Sequence, residues 1–140
     1  MDKNKLNKAI ELAMDWHKHD LGKDGKPLML HLLRVMLKLE TEEEQICAIL
    51  HESFTRGVVT ELKLKEYGFE NDIINAVKLI DWKPNLLADE YLKNLEKNTI
   101  ALKVKKNEIF DSENDDCNYN LLNGELDLFE HQQFLRDYFL

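Results

Sequence analysis

Apolar positions along this chain recur at three- and four-residue spacing, and no strand-length run alternates apolar with polar. Leu6, Ile10, Ala13, Met14 and His17 share one stripe, so residues 3–19 predict an amphipathic helix. A turn follows at Leu21-Gly22-Lys23-Asp24-Gly25-Lys26-Pro27, where glycine permits positive φ and Pro27 suits the start of a new helix. Residues 27–39 are apolar on most sides, which predicts a central, buried second helix. Thr41-Glu42-Glu43-Glu44 reads as a capping box: Thr41 accepts from the backbone three residues on, and Glu44 reaches back. It opens a third helix carrying Ile46, Ile49, Leu50, His51, Glu52 and Phe54, with Gly57 at or just past its end.

Thr60 predicts the cap of a short fourth helix over residues 61–67, stopped by Gly68. Residues 70–82 predict a fifth, broken by Lys83-Pro84-Asn85. A sixth starts near Asp89 and turns Tyr91, Leu92 and Leu95 inward. Asn98-Thr99 predicts the cap of a seventh over residues 100–112, with Ile100, Ala101, Val104, Glu108 and Ile109 near one face. Residues 112–116 are acidic and predict a solvated loop, and residues 126–140 predict a last helix. The expectation is an all-α chain of roughly eight helices in one domain over residues 1–140.

Composition changes this picture little. At 44% hydrophobic and 33% charged, the chain suits a packed globular domain. No apolar run approaches the ~20 residues of a spanning helix. Met1-Asp2-Lys3-Asn4-Lys5 leads into an amphipathic segment, unlike a signal peptide, so a cytoplasmic location is expected. The net charge of −8 argues against nucleic-acid and anionic-membrane binding. It leaves room for a small phosphorylated ligand held by a few local lysines. Cys47 and Cys117 are far apart and form no CxxC, so no disulfide is expected and Cys47 reads as a small core residue. The tail aromatics Phe129, Phe134, Tyr138 and Phe139 suit either packing on their own domain or a partner interface.

Candidate chemistry sits on three apolar helices. His31 lies within the second, His51 and Glu52 end the apolar run of the third, and Glu108 lies on the seventh. A buried imidazole needs a hydrogen-bond partner or a metal. His17 carries the same choice, as a bonded core histidine or a site residue. Two imidazoles and two carboxylates make a mixed nitrogen–oxygen ligand set suited to Mn²⁺, Fe²⁺ or Zn²⁺. On spacing alone, one core histidine beside one exposed acid is the simpler reading of His51-Glu52.

The order of features adds a resemblance. His17, Gly22-Lys23-Asp24-Gly25-Lys26-Pro27-Leu28-Met29-Leu30-His31, Ala48-Ile49-Leu50-His51-Glu52, Tyr67-Gly68 and Val104-Lys105-Lys106-Asn107-Glu108 follow one another over about residues 5–112. This series resembles the HD-domain superfamily, and within it the ppGpp-hydrolase branch of RelA/SpoT-type domains and their small stand-alone relatives. The resemblance implies an HD-type helical bundle with divalent-metal ligands at His31, His51, Glu52 and Glu108, and Mn²⁺ as the metal. It implies phosphate contacts at Lys23 and Lys105, with a plain exposed lysine the alternative at each. Both metal-binding aspartates of the family are glutamates here, each longer by about 1.5 Å. The family's Glu-Asp pair after the His-Asp dipeptide is Thr55-Arg56, so its general-base function is not matched. Its base-stacking arginine, tyrosine and late asparagine fall on Gly22, Leu28 and Ser112. The resemblance thus implies a divergent metal-dependent phosphohydrolase acting on a nucleotide or small phosphate ester. A catalytically degenerate ligand- or protein-binding module is the alternative, and hydrolysis of ppGpp itself ranks below the other active readings.

Overall fold

The computed structural model describes residues 4–22, 24–81 and 86–113, and the described residues are helical with no strand. The order is α1 (Lys5–Trp16), α2 (Leu28–Leu37), α3 (Glu42–Thr55), α4 (Glu61–Glu66), α5 (Asn71–Ile80), α6 (Ala88–Glu96) and α7 (Thr99–Glu113). The helix expected over residues 126–140 and Cys117 lie outside the described residues. Among the described residues, no helix is long and apolar enough to cross a membrane.

The helix ends are set by the residues the sequence singles out. Thr41 Oγ1 accepts from Glu44 N, and Glu44 Oε1 accepts from Thr41 N, both at 3.2 Å. Glu44 is buried and its Oε2 lies 3.3 Å from Lys103 Nζ, so this cap also ties α3 to α7. Thr60 caps α4 by accepting from Lys63 N, and Asn98 Oδ1 accepts from Ala101 N at the start of α7. Gly57 and Gly68 follow α3 and α4 at φ of +76° and +90°, a conformation that favours glycine after a helix end. Thr41→Ala is expected to cost about 1 kcal/mol, read as a fall in the urea midpoint at unchanged slope.

α3 is the hub. It packs against α1, α2, α5 and α7, and buries Ile46, Cys47, Ala48, Ile49, Leu50, His51 and Ser53. The central place expected for the second helix is corrected here. α2 buries Leu28, Leu32, Val35 and Met36 against α3 and α7, while Leu37 is 74% exposed. An all-round apolar sequence shows that burial on every side is tolerated; the number of packed neighbours decides whether it occurs. α7 closes the core from the far side, resting on α2, α3, α5 and α6. The Tyr91 hydroxyl of α6 donates to Ile80 O at the end of α5. Burial pushes that phenol up to about 12, so it remains a donor at neutral pH.

His17 takes the core-histidine role. It follows the last turn of α1, with Nδ1 2.7 Å from Asp20 Oδ2 and Nε2 2.7 Å from Ser53 Oγ on α3. Ser53 is fully buried, so this Ser–His–Asp relay offers no accessible nucleophile and acts as a brace between α1 and α3.

Candidate metal centre

The packing of α7 on α3 brings Glu108 to the adjacent pair His51 and Glu52. One ligand atom from each lies within 4.8 Å of the others. His51 is 2% exposed, while the Glu52 and Glu108 side chains keep a partly open edge. His51 Nδ1 sits 2.8 Å from Ala48 O. A carbonyl only accepts, so Nδ1 carries the proton, and in the neutral ring Nε2 holds only a lone pair. That lone pair faces Glu108 Oε2 at 3.2 Å and Glu52 Oε2 at 3.8 Å.

Three acceptors therefore converge with no proton between them. Among the described residues, neither His51 Nε2 nor Glu108 Oε2 has a hydrogen-bond partner. Orphaning such buried atoms costs about 1–3 kcal/mol each, and more when charged. Either a proton on His51 or a cation relieves the conflict. Burial alone lowers the His51 pKa, but the charges of Glu108 and Glu52 raise it more, so the net shift is upward. The same convergence fits a divalent ion. Nitrogen and oxygen ligands ~2.1 Å from a metal stand about 3.0–3.4 Å apart, close to the His51–Glu108 separation.

Two cations match the two carboxylates. Lys105, one turn before Glu108, places Nζ 3.6 Å from Glu108 Oε2 and 5.9 Å above the Tyr91 ring. Burial works against this ammonium, yet the Glu108 charge holds its pKa above the ordinary lysine value. Burial likewise pushes the Glu108 carboxyl up, but Lys105 and His51 together hold it well below the usual range. On the other side, Arg56 Nε donates to Glu52 Oε1 at 2.9 Å, while Glu52 Oε2 faces His51. A divalent ion added to this balanced set leaves surplus positive charge at the site of a chain whose net charge is −8. That surplus suits an anionic ligand.

His51, Glu52 and Glu108 thus meet, and His31 is not within their cluster. Its Nδ1 lies 2.5 Å from Asp111 Oδ2. Lys105 is no exposed lysine: it is buried against Glu108 because it lies on the α7 face that packs inward. Lys23 lies outside the described residues. Thr55 is exposed at the end of α3, and Arg56 takes up Glu52 while standing 3.9 Å from Asp20. Asp111 was not legible as a site residue: it falls at the edge of the acidic stretch, and only its i,i+3 spacing from Glu108 marks a shared helix face. Searched against known proteins, the chain matches no protein-family model and no curated protein.

Proposed function

We propose that this chain is a divergent HD-domain metal-dependent phosphohydrolase acting on a nucleotide or another small phosphate ester. The observation that carries it is the meeting of the His51 Nε2 lone pair with the Glu108 and Glu52 carboxylates, an arrangement that calls for a cation. His51, Glu52 and Glu108 would hold a divalent ion, with Mn²⁺ the best match to the donor set. Such an ion, when bound, supplies Lewis-acid polarisation and a water of lowered pKa.

The remaining work falls to the chain's own residues. Ala48 O keeps His51 in the tautomer that presents Nε2, and Arg56 holds one oxygen of Glu52 so that the other faces the cluster. Lys105 and Arg56 supply the positive field that favours a phosphate. Neither Thr55 nor Arg56 can take a proton from water at neutral pH, so turnover slower than in a site with a carboxylate base is expected. The second reading is a non-catalytic HD-fold binding module. Its support is that Lys105 and Arg56 already neutralise the two acids without any metal.

Metal analysis of the purified protein and a phosphate-ester screen in added Mn²⁺ separate these readings. The hydrolase reading expects bound metal and Mn²⁺-stimulated turnover that His51→Ala reduces at least about 100-fold with the helical circular-dichroism signal intact. A protein without bound metal that turns over no phosphate ester under Mn²⁺ sinks it and leaves the binding module.

A further inference from the structure

We propose that Asp111 is a positioning residue that locks the His31 ring with Nε2 as its lone pair, so that the nitrogen left free is the one through which the resemblance already expects His31 to meet a metal. The donor role rests on the metal reading above, whereas the lock on the ring does not.

The Asp111 carboxylate is 2% exposed and held from several sides. Arg34 Nε donates to Oδ1 at 2.7 Å, Arg34 Nη2 donates to Oδ2 at 3.0 Å, and Lys38 Nζ stands 3.8 Å from Oδ1. The guanidinium fork fixes the plane of the carboxylate. Burial raises its pKa, but the bonds from Arg34 and His31 outweigh that, so Asp111 stays ionised at neutral pH. An ionised carboxylate only accepts, so the His31 nitrogen 2.5 Å away must carry the proton, and that nitrogen is Nδ1. Neutral His31 is therefore left with a lone pair on Nε2.

His51 is in the same condition by a different route, through Ala48 O. Two histidines on two helices are set in one tautomer by two unrelated acceptors. Histidines that bind metals commonly donate their other N–H to a carboxylate or a backbone carbonyl, and these are the two partners found here. α7 carries Glu108 and Asp111 three residues apart and packs against both α3 and α2, so one helix supplies the acid that faces His51 and the acid that holds His31. Charge balance alone does not explain the His31 contact: Asp111 already has Arg34, and the bond to His31 adds orientation rather than a needed cation.

Histidine tautomers report this directly. In the full chain labelled with ¹⁵N-histidine, kept metal-free and taken up in pH until the imidazoles are neutral, long-range ¹H–¹⁵N spectra are expected to show His31 and His51 both protonated on Nδ1 alone. Asp111→Ala is expected to release His31 from that tautomer, leave His51 in it, and weaken Mn²⁺ binding about 10–100-fold by calorimetry. Arg34→Met keeps the carboxylate and is expected to lower Tm while His31 stays protonated on Nδ1. A structural ion pair without a positioning role would instead lower Tm in both variants and leave the His31 tautomer unmoved. Neutral His31 protonated on Nε2 rather than Nδ1 in the unaltered protein overturns the proposal, and so does Asp111→Ala binding Mn²⁺ as tightly as the parent. If the unaltered protein binds no Mn²⁺, the metal reading and the donor role of His31 fall together, and the spectra still decide whether Asp111 sets the ring.

Discussion

Glu108→Gln is expected to lower the stability of the metal-free protein by about 3–5 kcal/mol and to remove saturable Mn²⁺ binding. The size follows from what is left behind. Lys105 is 5% exposed, and Glu108 is its nearest anionic partner among the described residues. Glutamine keeps the shape of Glu108 but leaves a buried ammonium without its counter-charge, while one of three converging ligand atoms loses its charge. Urea unfolding of the metal-free variant and calorimetric Mn²⁺ titration read the two effects separately.

The pH dependence of the first effect has a definite sign. The folded-state pKa of Glu108 lies below its ordinary value of 4.5. A depressed carboxyl pKa contributes stability that is fully present above the ordinary value and is lost as pH falls through the folded-state value. The carboxyl's own part of the gap between the parent and Glu108→Gln therefore narrows below about pH 4.5, while the part Glu108 contributes by raising the His51 pKa is present below the ordinary histidine value of 6.5 and is lost as pH rises through the raised one. A gap under about 1 kcal/mol at neutral pH, or one that widens as pH falls below about 4.5, would contradict the buried Glu108–Lys105 pair.

Lys105→Met is expected to act in the opposite direction on the metal. The ammonium competes with any divalent ion for Glu108, since both are positive and both approach Oε2. Removing one unit charge about 5 Å from a divalent ion relieves on the order of 1.5 kcal/mol even at the dielectric constant of water, roughly a tenfold gain in Mn²⁺ affinity. The metal-free variant becomes less stable than the parent, because Glu108 loses its main cation, and added Mn²⁺ restores more stability than it does in the parent. A lysine serving only as a phosphate contact predicts something different: unchanged Mn²⁺ affinity and weaker binding of the phosphate ligand alone. The two outcomes are read in the same titration, with and without inorganic phosphate.

Arg56 links these effects to catalysis. It stands where the resembled family has an acid, and here it donates to Glu52 rather than accepting from water. Its charge helps hold an anion at the site, and its chemistry supplies no base. On the proposed hydrolase reading, this combination favours binding of a phosphate ester over fast turnover.

Much of the local structure was legible in the chain. The Thr41–Glu44 box, the caps at Thr60 and Asn98, and the glycines after α3 and α4 stand where the sequence puts them. These are interactions among residues a few positions apart, and backbone geometry alone sets them once a helix forms. Periodicity likewise put His51 at the end of an apolar run and Glu108 on one face with Ile109 and Val104.

Tertiary structure decided the rest. Apolar residues surround α2 more completely than α3, yet α3 became the hub because four helices pack on it while Leu37 of α2 meets solvent. The inward turn of Lys105, the His17–Ser53 brace and the hold of Asp111 on His31 join atoms that lie far apart along the chain or on faces whose partner it does not name. A helix repeat tells which residues share a side of a rod. It carries no information on which rod crosses there or at what rotation, and those two quantities determine whether an acid meets an imidazole, a cation or water. The sequence by itself thus determined the helices and the residue types able to hold a metal, and only the crossing of α7 over α3 and α2 decided that Glu108 joins His51 and Glu52 while Asp111 takes His31.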